Sequence, residues 1–266
     1  MRTSPGCPAA NIFEAILDGW KQGVRNCWWI IDYNRQSLDA VVREGLWERY
    51  EKLFRAFGWE VVILKYGSLL EAAFREPGGE KLRRWIDTCP NQLYSALVFQ
   101  GGPAWRKRLN DDIGDQGDVT RLIEARSDDE LARLMTNLAG HDLPTLLAAF
   151  GKAAHERPVC FICYTIKGFG LPFAGHKDNH AGLMTKEQME GFRASMNIRP
   201  GHEWDAFEGI DVPEKELRDF IASCPFATPL TPEGRALSAP MVQVPATLPT
   251  PKLAAAIREH IGSAVP

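Results

Sequence analysis

The chain has 266 residues, 45% of them hydrophobic, which is enough length and apolar content for one large or two modest domains with a proper core. Its 31 basic and 34 acidic residues leave a formal net charge of −3, so nothing in the charge balance calls for nucleic acid or an anionic membrane as partner. The longest apolar runs, such as Cys27 to Ile31 and Val159 to Cys163, are far too short to span a bilayer, and the opening MRTSPGCPAA has no apolar signal segment. A cytoplasmic location is the expectation.

From Asn11 to Gly23, apolar residues recur at helical spacing, and NCWWIIDY follows as a strand apolar on both faces. A polar stretch leads to LWERYEKLFRAFGW, where Leu46, Tyr50, Leu53, Phe54 and Phe57 make one helical face, and then to the buried strand EVVILKYG. A strand, helix, strand unit of this kind predicts a doubly wound α/β fold with a mostly parallel sheet. Two short helices are predicted at Ser68 to Arg75 and Glu80 to Thr88. LYSALVF reads as a further strand or an irregular buried segment, and Gly101 to Thr120 as loop with one helical turn.

SDDELARLM carries a capping box, Ser127 with Glu130, and LPTLLAAFGKAAHERP predicts a helix opened near Pro144 and stopped before Pro158. VCFICYTI is the last strand; a long glycine-containing loop comes after it, and TKEQMEGFRASMN is a helix capped by Thr185. After Asn197 the character changes. PEKELRDFIA reads as a helix, residues 225–251 as a proline-rich linker, and LAAAIREHIGSA as a short terminal helix.

The six cysteines do not form a disulfide framework. Cys160 and Cys163 have a CxxC spacing, but on a strand residues three apart point to opposite faces, so they read as buried small hydrophobes. Two strand ends are chemically loaded, and ligands of open α/β sheets sit at such ends. In IIDYNRQSLD, Asn34 and Gln36 have the same parity on a continuing extended chain and offer oxygens suited to magnesium; the alternative is that Asp32 and Asn34 make turns and cap the next helix. In TIKGFGLPFAGHKDNHAGL, Lys167 suits a phosphate, and His176 and His180 sit in a loop fit to close over substrate or simply to move in solvent. Gly168-Phe-Gly170 starts like a dinucleotide fingerprint, yet no helix opens after it, which argues against an NAD site. Asp115, Asp118 and His141 are weaker candidates.

Together IIDYNRQSLD, LFRAFGWEVVILKYG, NLAGHDLPTLLAAF, CYTIKGFG and GHKDNHAGLMT resemble the pyrophosphate-binding part of the thiamine diphosphate enzymes of the transketolase superfamily, above all the homodimeric pyruvate dehydrogenase type and its transketolase-like relatives. The resemblance covers about Asn11 to Asn197. It implies thiamine diphosphate and Mg2+ as cofactors and a 2-oxo acid or ketose as substrate, with a homodimer or a complementary subunit as partner. It also implies magnesium ligation by Asn34 and by Gln36 through its backbone carbonyl, a diphosphate contact by Lys167 and Gly168, and catalytic roles for His180 and, less strongly, His176.

Two departures stand out. Asp32 replaces an asparagine, and MRTSPGCPAA holds no Gly-Asp-Gly to supply the acidic magnesium ligand. The expectation is therefore a fragment: an unmatched segment 1–10, a partial thiamine diphosphate-binding domain over 11–224 that is incomplete at its N-terminal side, and a linker with a short helix over 225–266. Such a piece should bind cofactor weakly or not at all alone, as half of a split enzyme or as a non-catalytic remnant pairing with a full-length homologue, and its uncovered faces should be unusually apolar.

Overall fold

The computed structural model describes residues 10–37, 40–115, 117–153 and 156–224, with side chains from Phe13 onward; the proline-rich segment and terminal helix expected beyond residue 224 lie outside the described residues. These residues fall into two compact units, the first ending at Met196. The first unit is built on a parallel sheet of β1 (Trp28–Tyr33), β4 (Glu60–Leu64) and β5 (Val159–Tyr164), in the order β1-β5-β4. β1 lies in register with β5, Trp28 opposite Val159, and β4 does likewise from Glu60. This is the α/β class with a parallel sheet flanked by helices that the strand, helix, strand pattern predicts.

β5 is central and buried at all six of its positions, which is why VCFICY is a continuous apolar run and not an alternating one. One face carries Cys160, Ile162 and Tyr164 into a large core with Ile31, Tyr33 and Val61. The other turns Val159, Phe161 and Cys163 towards a smaller cluster that holds Leu64 and, partly buried, Phe150. The two cysteines of the CxxC thus face opposite ways, and burial pushes both thiols up, that of Cys163 to about 11.

α1 (Ala10–Lys21) precedes β1, and α2 (Leu46–Ala56) joins β1 to β4, burying Phe54 against Trp29 and Trp59. Between β4 and β5 the chain forms α3 (Ser68–Ala73), α4 (Gly79–Thr88), α5 (Asn91–Gln100), α6 (Gly102–Ile113), α7 (Gly117–Glu124), α8 (Asp128–Met135), a short 3-10 turn (Ala139–His141) and α9 (Leu143–Lys152). Two expectations are corrected here. LYSALVF is neither strand nor irregular but the body of α5: its buried residues Asn91, Tyr94, Ser95 and Leu97 follow helical spacing, and Val98 is its one β-branched residue. The stretch from Gly101 to Thr120 is mostly helix. In α6 only Trp105, Leu109 and Ile113 are large and apolar, but they stand four apart and form one stripe against α5, α7 and α8. The glycines and aspartates between them and α7 masked that stripe.

The capping box of Ser127 with Glu130 forms on α8 as expected, and Thr185 caps α10 (Lys186–Ser195) as expected, in a capping box with Gln188. A short antiparallel pair, β2 (Gln36–Ser37) and β3 (Ala40–Val41), was not anticipated. Among the described residues β1 is an edge strand, with Trp28 40% and Ile30 46% exposed. The described part of the second unit contains α11 (Glu214–Ser223) and a bidentate ion pair of Arg199 with Glu208, at 2.7 and 2.9 Å.

Trp105 is fully buried, yet its indole N–H has no hydrogen-bond partner. Trp105→Ala should cost about 3–5 kcal/mol in urea unfolding, the range for a deleted core aromatic. Trp105→Phe should cost under about 1.5 kcal/mol, because it removes the unsatisfied donor along with part of the ring.

Candidate functional site

The carboxyl ends of β1, β4 and β5 converge on one crevice. At the end of β1 the chain does not continue extended, because Arg35 takes a left-handed φ of 63°. Asn34 and Gln36 are therefore not aimed at a common point by strand alternation. Instead the Asn34 side-chain oxygen accepts the Gln36 backbone N–H at 3.0 Å, an Asx turn. Gln36 is 2% exposed; its Nε2 donates to the Gly175 carbonyl at 3.0 Å, and its Oε1 is buried without a partner. Gly175 lies so close to α5 that a Cβ would meet the Ser95 carbonyl at 2.7 Å, so a glycine there lets the loop backbone reach Gln36.

Lys167 follows β5 and is half-buried. Its carbonyl accepts from Gly175 N at 3.2 Å and from Asn179 Nδ2 at 2.8 Å, and Gly168 turns the chain with a φ of 72°. Asn34, Gln36 and Lys167 do come together, but the space they line is a cavity of about 10 Å³, room for a single water. Beneath it the buried Arg35 guanidinium lies 3.9 Å from the centre of the Tyr94 ring.

The histidines are placed elsewhere. His176 packs on Phe99, ring centres 4.6 Å apart, and lines a cavity of about 460 Å³ between α5, β3 and the loop, which adjoins the smaller one at Ser95 and Gly175. His180 is exposed and lines neither space.

His141, a minor candidate from sequence, is tied to the chain just after β5. Its Nε2 accepts the Ile166 N–H at 2.8 Å, so the neutral ring carries its proton on Nδ1, and it stacks on Phe169 at 3.9 Å. Burial lowers its basicity, against the pull of the Asp32 carboxylate. A ring whose lone pair is already used is a latch and not a base. Gly140 beside it admits the close contact, since a Cβ would meet Thr165 Cγ2 and the Tyr164 carbonyl. Asp32 itself accepts from the Thr165 hydroxyl.

Sequence reasoning passed over the best-satisfied carboxylate. Asp142, 7% exposed, caps α9 through Thr145 N at 3.0 Å and Thr145 Oγ1 at 2.6 Å, while its other oxygen takes Ser68 N, Ser68 Oγ and Asn137 Nδ2. Asp followed by Leu-Pro-Thr is an N-cap signal legible in the sequence; the reach back to Ser68 is not. A second cluster, Lys65 and Tyr66 on Asp87, follows β4. Burial lowers the Lys65 pKa, and Asp87 opposes that.

Set against magnesium diphosphate, this region does not fit. Magnesium demands octahedral oxygen ligation and usually takes carboxylates, and among the described residues no group of three acidic, histidine or cysteine side chains is placed to hold a metal. The Asn34 side-chain oxygen is engaged, and the space that Asn34, Gln36 and Lys167 line is too small for a phosphate.

No family model matches the chain. It is similar to the pyruvate dehydrogenase E1 component of Escherichia coli, 26% identical over 183 residues, of Cupriavidus necator, 28% over 185, and of Mycobacterium tuberculosis, 27% over 187. The matches cover 67–68% of this chain but 20% of each relative. The chain thus spans about one fifth of the relatives it matches, as the expectation of a fragment requires. None of its described helices is long and apolar enough to cross a membrane.

Burial alone would raise the Asp142 pKa, but hydrogen bonds from Ser68, Thr145 and Asn137 hold it well below the usual carboxylate range. A depressed folded value stabilises the fold above the unfolded pKa of about 4, and that contribution is lost as pH falls through the folded value. Asp142→Ala should cost about 3 kcal/mol at neutral pH. Asp142→Asn should flatten the loss of stability between about pH 5 and about pH 2, measured by urea titration at each pH.

Proposed function

We propose that this chain is a non-catalytic relative of the pyruvate dehydrogenase E1 component that acts by binding another protein chain, not by thiamine diphosphate chemistry. One observation carries this reading: the strand-end region that would hold the diphosphate is occupied by the chain's own hydrogen bonds, leaving about 10 Å³ between Asn34, Gln36 and Lys167. The exposed position of His180 supports it. Cytoplasmic location belongs to the same proposal.

A second reading is favoured by the Gln36 Oε1 and the outer edge of β1, both without a partner among the described residues. In it, the chain is one half of a thiamine diphosphate- and magnesium-dependent pyruvate dehydrogenase or transketolase-type enzyme acting on a 2-oxo acid or ketose. Asn34, Gln36, Lys167 and Gly168 would be its contribution to the cofactor, and His176 and His180 its catalytic groups. A partner chain would supply the missing acidic ligand.

Calorimetric titration of the full chain with thiamine diphosphate and MgCl2 separates the two. The first reading expects no heat and an unchanged melting temperature. Saturable binding tighter than about 1 mM by the chain alone overturns it, and binding that arises only after a partner chain is added favours the second.

A further inference from the structure

The cavity beside His176 differs from the strand ends in one respect: its polar groups are unspent. α5 gives it a whole helical face, since Gln92, Ser95, Ala96, Phe99 and Gln100 recur at helical spacing while Tyr94 and Leu97 turn to the core. Val41 of β3 belongs to a second wall, and Gly175, His176 and Lys177 to a third. The chain itself holds these walls in place. Asn91 Nδ2 donates to the Val42 carbonyl at 3.2 Å, Glu44 accepts the Asn91 N–H at 3.1 Å, and Gln36 holds the Gly175 carbonyl. A preformed space of about 460 Å³ is the size of a small-molecule site.

Ser95 is 9% exposed and lines both this cavity and the smaller one that adjoins it. Hydroxyls in helices often bond back to the preceding turn, as Thr88 does to Arg84 O at 3.0 Å and Thr136 to Ala132 O at 2.8 Å. The Ser95 hydroxyl does not, and no described residue meets it. A buried hydroxyl left unmet costs stability, and a bound ligand that hydrogen-bonds to it removes that cost.

His176 adds a donor. Its Nδ1 accepts the Asp178 N–H at 3.2 Å, so the neutral ring carries its proton on Nε2, and among the described residues that N–H has no acceptor. The Gln92 and Gln100 carboxamides are likewise without partners among the described residues. Lys177 brings a cation, held 2.6 Å from Asp178 in an exposed ion pair that solvent weakens. No carboxylate stands among the described residues that line the cavity. Its apolar share comes from Ala96, Val41 and Phe99, whose ring packs on His176 and is still 46% exposed.

We propose that this cavity binds a small aromatic carboxylic acid, its ring against Val41, Ala96 and Phe99 and its carboxylate among Ser95, His176 and Lys177. An aromatic ring gains both apolar cover and an edge or face of Phe99. A carboxylate only accepts, and so matches a lining of donors with a cation and no acid. A cationic ligand would meet no counter-ion in the described lining. The site stands apart from thiamine diphosphate chemistry, because Asn34 and Lys167 line the smaller cavity and not this one.

Calorimetry and ligand-observed NMR on the full chain, with naphthoate as the probe, test this. The expected result is saturable binding at one site with a Kd of about 1 mM or tighter, the range for a ligand of that size. Naphthamide, which lacks the charge, and pyruvate, which lacks the ring, should each bind at least about 5-fold more weakly. Thiamine diphosphate with MgCl2 should not displace naphthoate. Ala96→Leu fills the space with a good helix former and should weaken naphthoate at least about 10-fold, with the far-UV dichroism unchanged. Ser95→Ala should weaken it roughly 3- to 10-fold while the melting temperature holds or rises, since no internal hydrogen bond is lost and alanine favours the helix.

No binding at about 10 mM naphthoate overturns the proposal, as does equal affinity for naphthamide or pyruvate. Displacement by thiamine diphosphate, or an affinity that both variants leave unmoved, overturns it too. A lower melting temperature for Ser95→Ala gives that hydroxyl an internal role and overturns its part in the site. Thiamine diphosphate binding that leaves naphthoate in place overturns the non-catalytic reading alone.

Discussion

The first unit depends on the burial of β5 on both faces. A parallel strand with apolar side chains above and below needs a neighbour on each edge and a layer on each side. β1 and β4 supply the edges. On one face Cys160, Ile162 and Tyr164 reach the large core under α2 and the helices that come after β4; on the other, Val159, Phe161 and Cys163 rest on α9. The strand ends that carry the candidate site are placed by this arrangement, because Asn34, Lys65 and Thr165 each come directly after a strand held in register with β5.

Beyond those ends, polar side chains close the crevice. Gln36 holds the loop at Gly175, Asn179 folds the same loop onto Lys167, and His141 pins the turn before α9 to Ile166. Asp142 ties the start of α9 to the start of α3. Each bond satisfies a buried backbone or side-chain group, and together they stitch three connections into one layer. The chemistry of these residues is oxygen- and nitrogen-rich, as a ligand site would need, but most of it is spent within the chain.

Legibility followed the strength of the local signal. The strands WWIIDY, EVVIL and VCFICY are runs of apolar and β-branched residues and were plain, as were the capping box of Ser127 with Glu130 and the cap at Thr185, which depend on residues only three apart. α6 was missed because its stripe has just three large apolar residues set among charges, and only packing on α5, α7 and α8 gives them a common face. At the candidate site, the sequence offered Asn34, Gln36 and Lys167 as neighbours, and they do line one space. The left-handed turn at Arg35 and the reach of Asp142 to Ser68, 74 residues back in the chain, had no local signature.

By itself the sequence determined the fold class, the opposed faces of Cys160 and Cys163, and the resemblance that the comparisons with E1 components bear out in part. These come from periodicity, composition and motif order, which are properties of neighbouring residues. Only the tertiary structure decided how much room remains between Asn34, Gln36 and Lys167, and that His141 is the histidine tied to the chain after β5. Those depend on contacts between residues far apart in the chain, where a single peptide's φ angle or one glycine without a Cβ determines whether two segments meet.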